Sequence, residues 1–446
     1  MAKQMHEIRD PLHGFVRLRT EEREILDSGP VQRLRHIHQL GTSMWIYPGA
    51  THRRFEHSLG VAELAGRVFD IITQRAKLTD RIRSQVPQIE DPTDMLYWRQ
   101  VVRLAGLCHD LGHLPFSHAA EKELLPDGLT HEALSERIIL EMKPEFDRMD
   151  PPIRARDVAR IALGPGKLKV ETAPFSMWES VLEEIITGDA FGVDRIDYLL
   201  RDSYHAGVAY GRFDQLRLLD TLRILEKPSS SPEAVPALTI GIEEGGLQVA
   251  EGMALARYYM YTQVYLHPVR RIYDLLLQEF LSAWLPGSRF PVERVDDFLK
   301  LTDNEVMAAL RAASGDPNSP GHDAARRIMK REHFRVVYSR NPQDMRRSRD
   351  PARRIYDALC ERYGRDRVRY SWYRAKEDPA DFPVLMRDES VVGAMAASQV
   401  FSQLPLASVD YVYVVPELRD EAEAWLRRAK SGILGRKRGE VKGGAV

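Results

Sequence analysis

Residues 108–118 read Cys-His-Asp-Leu-Gly-His-Leu-Pro-Phe-Ser-His, which puts three imidazoles and a carboxylate into a stretch with no other charge. Polar groups in apolar surroundings are costly unless something satisfies them, so this run demands a fold that closes it around a metal, a substrate or both. Two distant pieces complete the set. Arg54-Phe55-Glu56-His57-Ser58-Leu59-Gly60 supplies His57, and Val193-Asp194-Arg195-Ile196-Asp197-Tyr198 supplies Asp194. His57, His109, Asp110 and Asp194 offer two imidazoles and two carboxylates, which suits a divalent transition metal or a mixed pair of metals. His109 and His113 are four residues apart and share a face if the stretch is helical. Gly112 and Pro115 then stop that helix and leave His118 to approach from the following turn. Cys108 reads as a small buried apolar residue rather than a ligand.

Apolar positions recur at three- and four-residue spacing over 21–27, 31–40, 58–76, 96–110 and 189–203, which predicts helices there. Gly41, Pro48-Gly49, Pro126-Asp127-Gly128 and Gly164-Pro165-Gly166 punctuate them. Residues 81–94 read as an exposed connection and 227–236 as a loop. The loop leads to a short strand at 238–242 and a turn at 243–246. Beyond about 330, β-branched and aromatic runs at 334–338, 368–373 and 409–415 alternate with helical stretches at 350–363 and 417–430. The expected fold is mainly α: a helical core with a small antiparallel β element, and a C-terminal α+β portion.

A chain of 446 residues holds more than one folding unit. Its formal net charge of -1 makes no global demand for nucleic acid or a membrane. Locally, 345–354 carries five arginines and 427–442 is rich in Arg and Lys. Both read as a solvated surface or tail, with a phosphate- or subunit-contacting patch as the sharper reading. Two cysteines cannot build a disulfide framework, and no signal-like or membrane-length apolar run is present, so a cytoplasmic protein is expected.

The order His57, His109-Asp110, Asp194 resembles the HD-domain metal-dependent phosphohydrolases. The flanks narrow the resemblance: Asp10-Pro11-Leu12-His13-Gly14, Gln32-Arg33-Leu34-Arg35, Gln39-Leu40-Gly41, Arg53 to Gly60, and Asp194 to Tyr198. Together they are similar to the deoxynucleoside triphosphate triphosphohydrolases, the group that contains the vertebrate SAM-and-HD enzyme and shorter bacterial relatives. The likeness runs from about residue 6 to about 275.

The resemblance implies an HD core over 1–325, a C-terminal α+β region with a basic tail over 326–446, and hydrolysis of a dNTP to deoxynucleoside and inorganic triphosphate. It makes His57, His109, Asp110 and Asp194 the ligands of a divalent metal (manganese, iron, magnesium, nickel, cobalt or zinc). His118 matches the family's acid, Glu121 the carboxylate that orients it, and His113 and His131 further active-site histidines. Arg54 and Arg195 match phosphate contacts, with arginine at 195 where the family has lysine. Gln39, Tyr198 and Asp202 match residues that bind the 3′-hydroxyl, and Leu40 one that crowds the 2′ position. Asp27, Gln32 and Arg35 match a guanine-nucleotide site between subunits, which implies a GTP or dGTP activator and a homodimer or homotetramer. Departures fall at His6, where a phosphate-binding lysine is expected, and at Gln263, Arg271 and Asp274 around the retained His267. The alternatives are an HD phosphodiesterase or nuclease acting on single-stranded nucleic acid or another nucleotide, and a non-catalytic nucleotide sensor.

Overall fold

The computed structural model describes residues 5–117, 121–170, 173–227, 237–375 and 381–435. It is mainly helical, with a few small sheets. In chain order the strands are β1 (Met5–Asp10), β2 (Gly14–Arg19), β3 (Leu222–Glu226), β4 (Leu238–Glu243), β5 (Arg335–Ser339), β6 (Val368–Arg374), β7 (Pro383–Leu385), β8 (Val391–Gly393) and β9 (Ser408–Val414). Contacts divide the chain into two units, neither of them one continuous segment. The first comprises Met1–Met260, Leu285–Ala308 and Glu377–Pro405; the second comprises Tyr261–Trp284, Ala309–Lys376 and Leu406–Val446.

The first unit is built on a helix pair, α1 (Arg54–Ile72) and α2 (Pro92–Cys108). Asp91 starts α2 by accepting the Thr93 N–H at 2.7 Å, with Pro92 in the first turn where no donor is needed. Around the pair pack α3 (His131–Glu141), α4 (Ala155–Leu163), α5 (Met177–Thr187) and α6 (Val193–Ala206). Helix α1 buries Leu59, Val61, Leu64, Val68 and Ile72, and α2 buries Val101, Leu104 and Leu107. The unit's sheet has the order β3-β4-β7-β8. The strand expected at 238–242 is β4, but its antiparallel partner is the unforeseen β3, the chain after it turns into a helix from Leu247, and β7 adds in parallel, with Ile242 opposite Val384. Phe382 beside β7 meets Phe191 at 4.5 Å and Phe401 at 5.1 Å between ring centroids.

Two local expectations are corrected, and a further element was not foreseen. The helix expected over 31–40 stops at Arg33, followed by a 3-10 turn over Leu34–His36, because the next backbone groups find partners elsewhere. Ile37 O accepts from Arg54 N–H, His38 N–H goes to Asp303, and Gln39 N–H goes to His52 O. The supposed connection at 81–94 contains a helix, Asp80–Gln85, capped by Thr79. The N-terminal hairpin of β1 and β2 has no counterpart in the sequence reading.

In the second unit the order is β5-β9-β6, all antiparallel. The central strand β9 is buried from Val409 to Val414, which accounts for its apolar and aromatic residues, and the one charge among them, Asp410, accepts from Tyr370 and Arg374. Helices Pro351–Tyr363 and Arg419–Gly435 pack together in this unit. Gln263, His267, Arg271 and Asp274 lie here, and Arg271 Nε donates to Ser371 Oγ at 2.9 Å. Arg346, Arg347, Arg349 and Arg353 are exposed, and the basic tail beyond 435 lies outside the described residues. No helix among the described residues is long and apolar enough to cross a membrane.

Candidate metal centre and active site

Helix α2 ends at Cys108, so His109 and His113 do not share a helical face. The turn that follows is held from outside. Ser135 of α3, fully buried, donates its hydroxyl to His109 O at 2.9 Å and accepts the Gly112 N–H at 2.9 Å. A Cβ on Gly112 would sit 2.1 Å from His131 O, so only glycine permits this approach of the turn to α3. His113 instead folds back, its Nε2 3.1 Å from Asp110 Oδ1, and stacks on His131 with ring centroids 4.1 Å apart.

His57, His109 and Asp110 converge so closely that one ligand atom from each lies within 4.8 Å of the others. Asp194, at the start of α6, joins them: its Oδ1 is 3.0 Å from His57 Nε2 and 3.7 Å from His109 Nε2. The outer nitrogens are already committed. His57 Nδ1 donates to Asp197 Oδ2 and His109 Nδ1 to Gly106 O, each at 2.8 Å, which leaves both Nε2 atoms aimed at the cluster. His109 Nε2 is buried without a hydrogen-bond partner. An imidazole nitrogen so prepared, facing carboxylates, fits a divalent cation. The electrostatics agree. Burial alone would depress His57, but Asp194 and Asp197 outweigh it and push the imidazole up to about 10. Burial likewise opposes ionisation of Asp110 and Asp194, yet Arg54 and the histidines hold Asp110, and His109 and His57 hold Asp194, well below the usual carboxylate range. The ionised carboxylates thus favour positive charge on the facing imidazoles, and a divalent cation would take the place of those protons.

Behind the ligands lies a buried ion network. Asp197 accepts from His57, from His13 Nε2 at 2.6 Å and from Arg201 Nε at 2.8 Å; Arg201 also donates to Asp10 at 2.8 Å. A Cβ on Gly60 would collide with Asp197 Oδ1 at 2.1 Å, so α1 leaves room for this pair. Asp10, His13, Asp197 and Arg201 thus account physically for the Asp-Pro-Leu-His and Asp-Tyr flanks, a role that the residues alone did not reveal.

The other expected site residues are distributed as follows. Arg54, buried at the start of α1, donates to Asp110 and, from Nε and a terminal nitrogen, to Ser117 Oγ at 3.2 and 2.8 Å. His131 is bound by Glu121 at both its ring Nδ1 (2.7 Å) and its backbone N–H (3.0 Å). His118, which Glu121 was expected to orient, lies outside the described residues. Asp202 is buried and accepts from His52 Nε2 at 2.8 Å. Gln39 carries a buried Oε1 without a hydrogen-bond partner, and Leu40 is buried beside it in sequence. Tyr198 is half-buried on α6. Arg195 is turned to the carbonyls of Gly188 and Asp189. Arg35 donates to Gln32 Oε1 at 2.8 Å and lies over the Phe55 ring at 3.5 Å, while Asp27 is exposed and pairs with Arg23. His6 accepts from Arg23 at 3.0 Å. Burial, reinforced by Arg54 and His131, holds the His113 imidazole well below its usual range and hence neutral.

The HD domain matches residues 54–202, and the HD associated region matches 213–368. An uncharacterized protein of Methanocaldococcus jannaschii, MJ1154, is 31% identical over 311 residues, 68% of this chain and 57% of that one. The deoxynucleoside triphosphate triphosphohydrolase SAMHD1 of Bos taurus is 32% identical over 370 residues, 75% of this chain and 58% of that one. This chain therefore spans a little over half the length of these two curated relatives. A solved structure of a hypothetical protein from Aquifex aeolicus superposes with a TM-score of 0.75 at 31% identity, covering 95% of this chain and all of that one.

Proposed function

Since this chain belongs to the HD-domain family of phosphohydrolases, we propose that it hydrolyses deoxynucleoside triphosphates to a deoxynucleoside and inorganic triphosphate. The observation that carries the reading is the meeting of Arg54, a phosphate-type donor, with Asp110 of the buried His57, His109 and Asp110 set, which partly exposed Asp194 joins. A divalent cation held by these four residues would supply positive charge at the α-phosphate and acidify a water molecule. In this reading water attacks the α-phosphorus and the bond to the 5′-oxygen breaks. The alkoxide that leaves needs a proton, and His118 is the proposed donor. His113, neutral and stacked on His131, is a hydrogen-bonding group beside the phosphate rather than a second charge. Glu121 orients His131, and Arg54 and Arg195 oppose the triphosphate charge. Arg195 must leave the 188–189 carbonyls to do so. Gln39, Tyr198 and Asp202 would read the 3′-hydroxyl, and Leu40 would exclude a 2′-hydroxyl.

Regulation is part of the proposal. Asp27, Gln32 and Arg35 would take GTP or dGTP between subunits of a homodimer or homotetramer in the cytoplasm. Arg35, stacked on Phe55 and held by Gln32, is suited to a planar base edge. The deciding experiment is product analysis with manganese, the four dNTPs and four NTPs, singly and mixed, beside Asp110→Ala. Deoxynucleoside and intact triphosphate, absent from the variant, are the expected products. Stimulation of dATP turnover by GTP would support the activator site, and no change would remove it. Cleavage of single-stranded DNA in place of any dNTP would transfer the assignment to a nuclease.

A further inference from the structure

The turn that follows the ligand pair is held by a residue far outside the HD domain. Phe116 and Ser117 both have positive φ, 56° and 61°, a backbone state costly for side chains of either kind. Asp303 holds this turn from outside: its carboxylate is 1% exposed and makes three hydrogen bonds to two segments. Oδ1 accepts the Phe116 N–H at 2.7 Å, and Oδ2 accepts the His38 N–H at 2.8 Å and His38 Nδ1–H at 2.6 Å.

With both segments pinned, Ser117 Oγ donates to His38 O at 3.1 Å and accepts from Arg54, whose remaining donor reaches Asp110. A Cβ on Gly41 would sit 2.8 Å from Phe116 O, so the two segments have no slack between them. Arg33 provides a second tie, donating to His113 O at 3.0 Å and Leu301 O at 2.9 Å.

We propose that Asp303 is a positioning residue that fixes the Arg54 guanidinium against Asp110 for a phosphate group, so that the associated region completes the site of the HD domain. The chemical consequence rests on the function proposed above; the mechanical relay Asp303, Ser117, Arg54 does not.

The test is a double-mutant cycle on the manganese-loaded full chain, with Asp303→Asn, Arg54→Ala and the pair. Tripolyphosphate binding is followed by calorimetry and dNTP hydrolysis by product release, with manganese stoichiometry and thermal unfolding as checks. Asp303→Asn should retain its manganese, weaken tripolyphosphate binding about tenfold and lower kcat/KM by a similar factor, yet add less than about twofold in the Arg54→Ala background. Additive losses, or tripolyphosphate binding within about twofold of the parent, would overturn the proposal. Ser117→Ala, which removes only the hydroxyl link, should show the same non-additivity and serves if Asp303→Asn does not fold. A parent protein that binds tripolyphosphate in this pattern but hydrolyses no dNTP would refute the proposed reaction and leave the relay standing.

Discussion

At the scale of single residues, the centre is a problem of satisfying buried charge. Asp197 touches none of the atoms that face the cluster, yet it sets the orientation of His57 by accepting its Nδ1 proton. Asp197→Asn should therefore weaken manganese affinity by about 10–100-fold, read by calorimetry, and also lower stability because buried Arg201 and His13 lose a charged partner. Asp10→Ala leaves the His57 contact in place and removes only one of the two carboxylates of buried Arg201. A loss of about 3–5 kcal/mol in urea denaturation is expected, and a loss below about 1 kcal/mol would show that the network is not stabilising. The four ligand candidates were legible because few residue types bind metals and because His57, His109-Asp110 and Asp194 stand in a recognisable order. The partners behind them were not. Asp10, His13, Asp197 and Arg201 are ordinary residues in sequence, and nothing in their spacing says that His13 and Arg201 will share one buried carboxylate.

At the scale of elements, the decisive events are terminations. Helix α2 stops at Cys108 because the turn beyond it trades helical hydrogen bonds for Ser135 of α3 and the His109 ring. Gly112→Ala would drive a methyl into His131 O and Ser135 N. It should cost about 1–3 kcal/mol or more and abolish activity, and a variant with parental melting and turnover would contradict the close approach. Helix α5 makes a different contact with the sheet. Glu184 accepts from Thr239 Oγ1 at 2.6 Å and the Ile240 N–H at 2.7 Å. Burial raises its pKa, more than those hydrogen bonds lower it. A carboxyl raised in the folded state favours folding while protonated, and that advantage is lost as pH rises from the unfolded value of about 4.3 through the folded one. Glu184→Gln should accordingly gain stability relative to the parent at pH 7.5 compared with pH 4.5, measured by denaturation at both. Helical periodicity located α1, α2 and α6 well, whereas it ran on through 34–40 because tertiary hydrogen bonds, not composition, end that helix.

At the scale of the whole molecule, the chain does not divide at one point. The sheet of the first unit takes β3 and β4 from the middle of the chain and β7 and β8 from beyond 380. Replacing 381–395 with a Gly-Ser linker would uncover the β4 edge and empty the Phe382 cluster. A fall in melting temperature of more than about 4 °C is expected, and an unchanged melt would mean that these strands only decorate the unit. Metal removal is a second global test. A cation that binds only the folded chain stabilises it by about 2.7 kcal/mol at a hundredfold excess over its Kd, so chelator-treated protein should melt lower and recover on manganese addition.

The residues alone determined the helical class, the candidate ligand types and their order, and the resemblance that points to phosphate chemistry, because these depend on side-chain chemistry and short periods. Only the tertiary structure decided which carboxylate orients which imidazole, where α2 ends, and that Asp303 of the associated region anchors the turn beside Arg54. Those choices are made by burial, which forces every polar group to find a partner wherever the folded chain brings one near, and distance along the sequence carries no record of that.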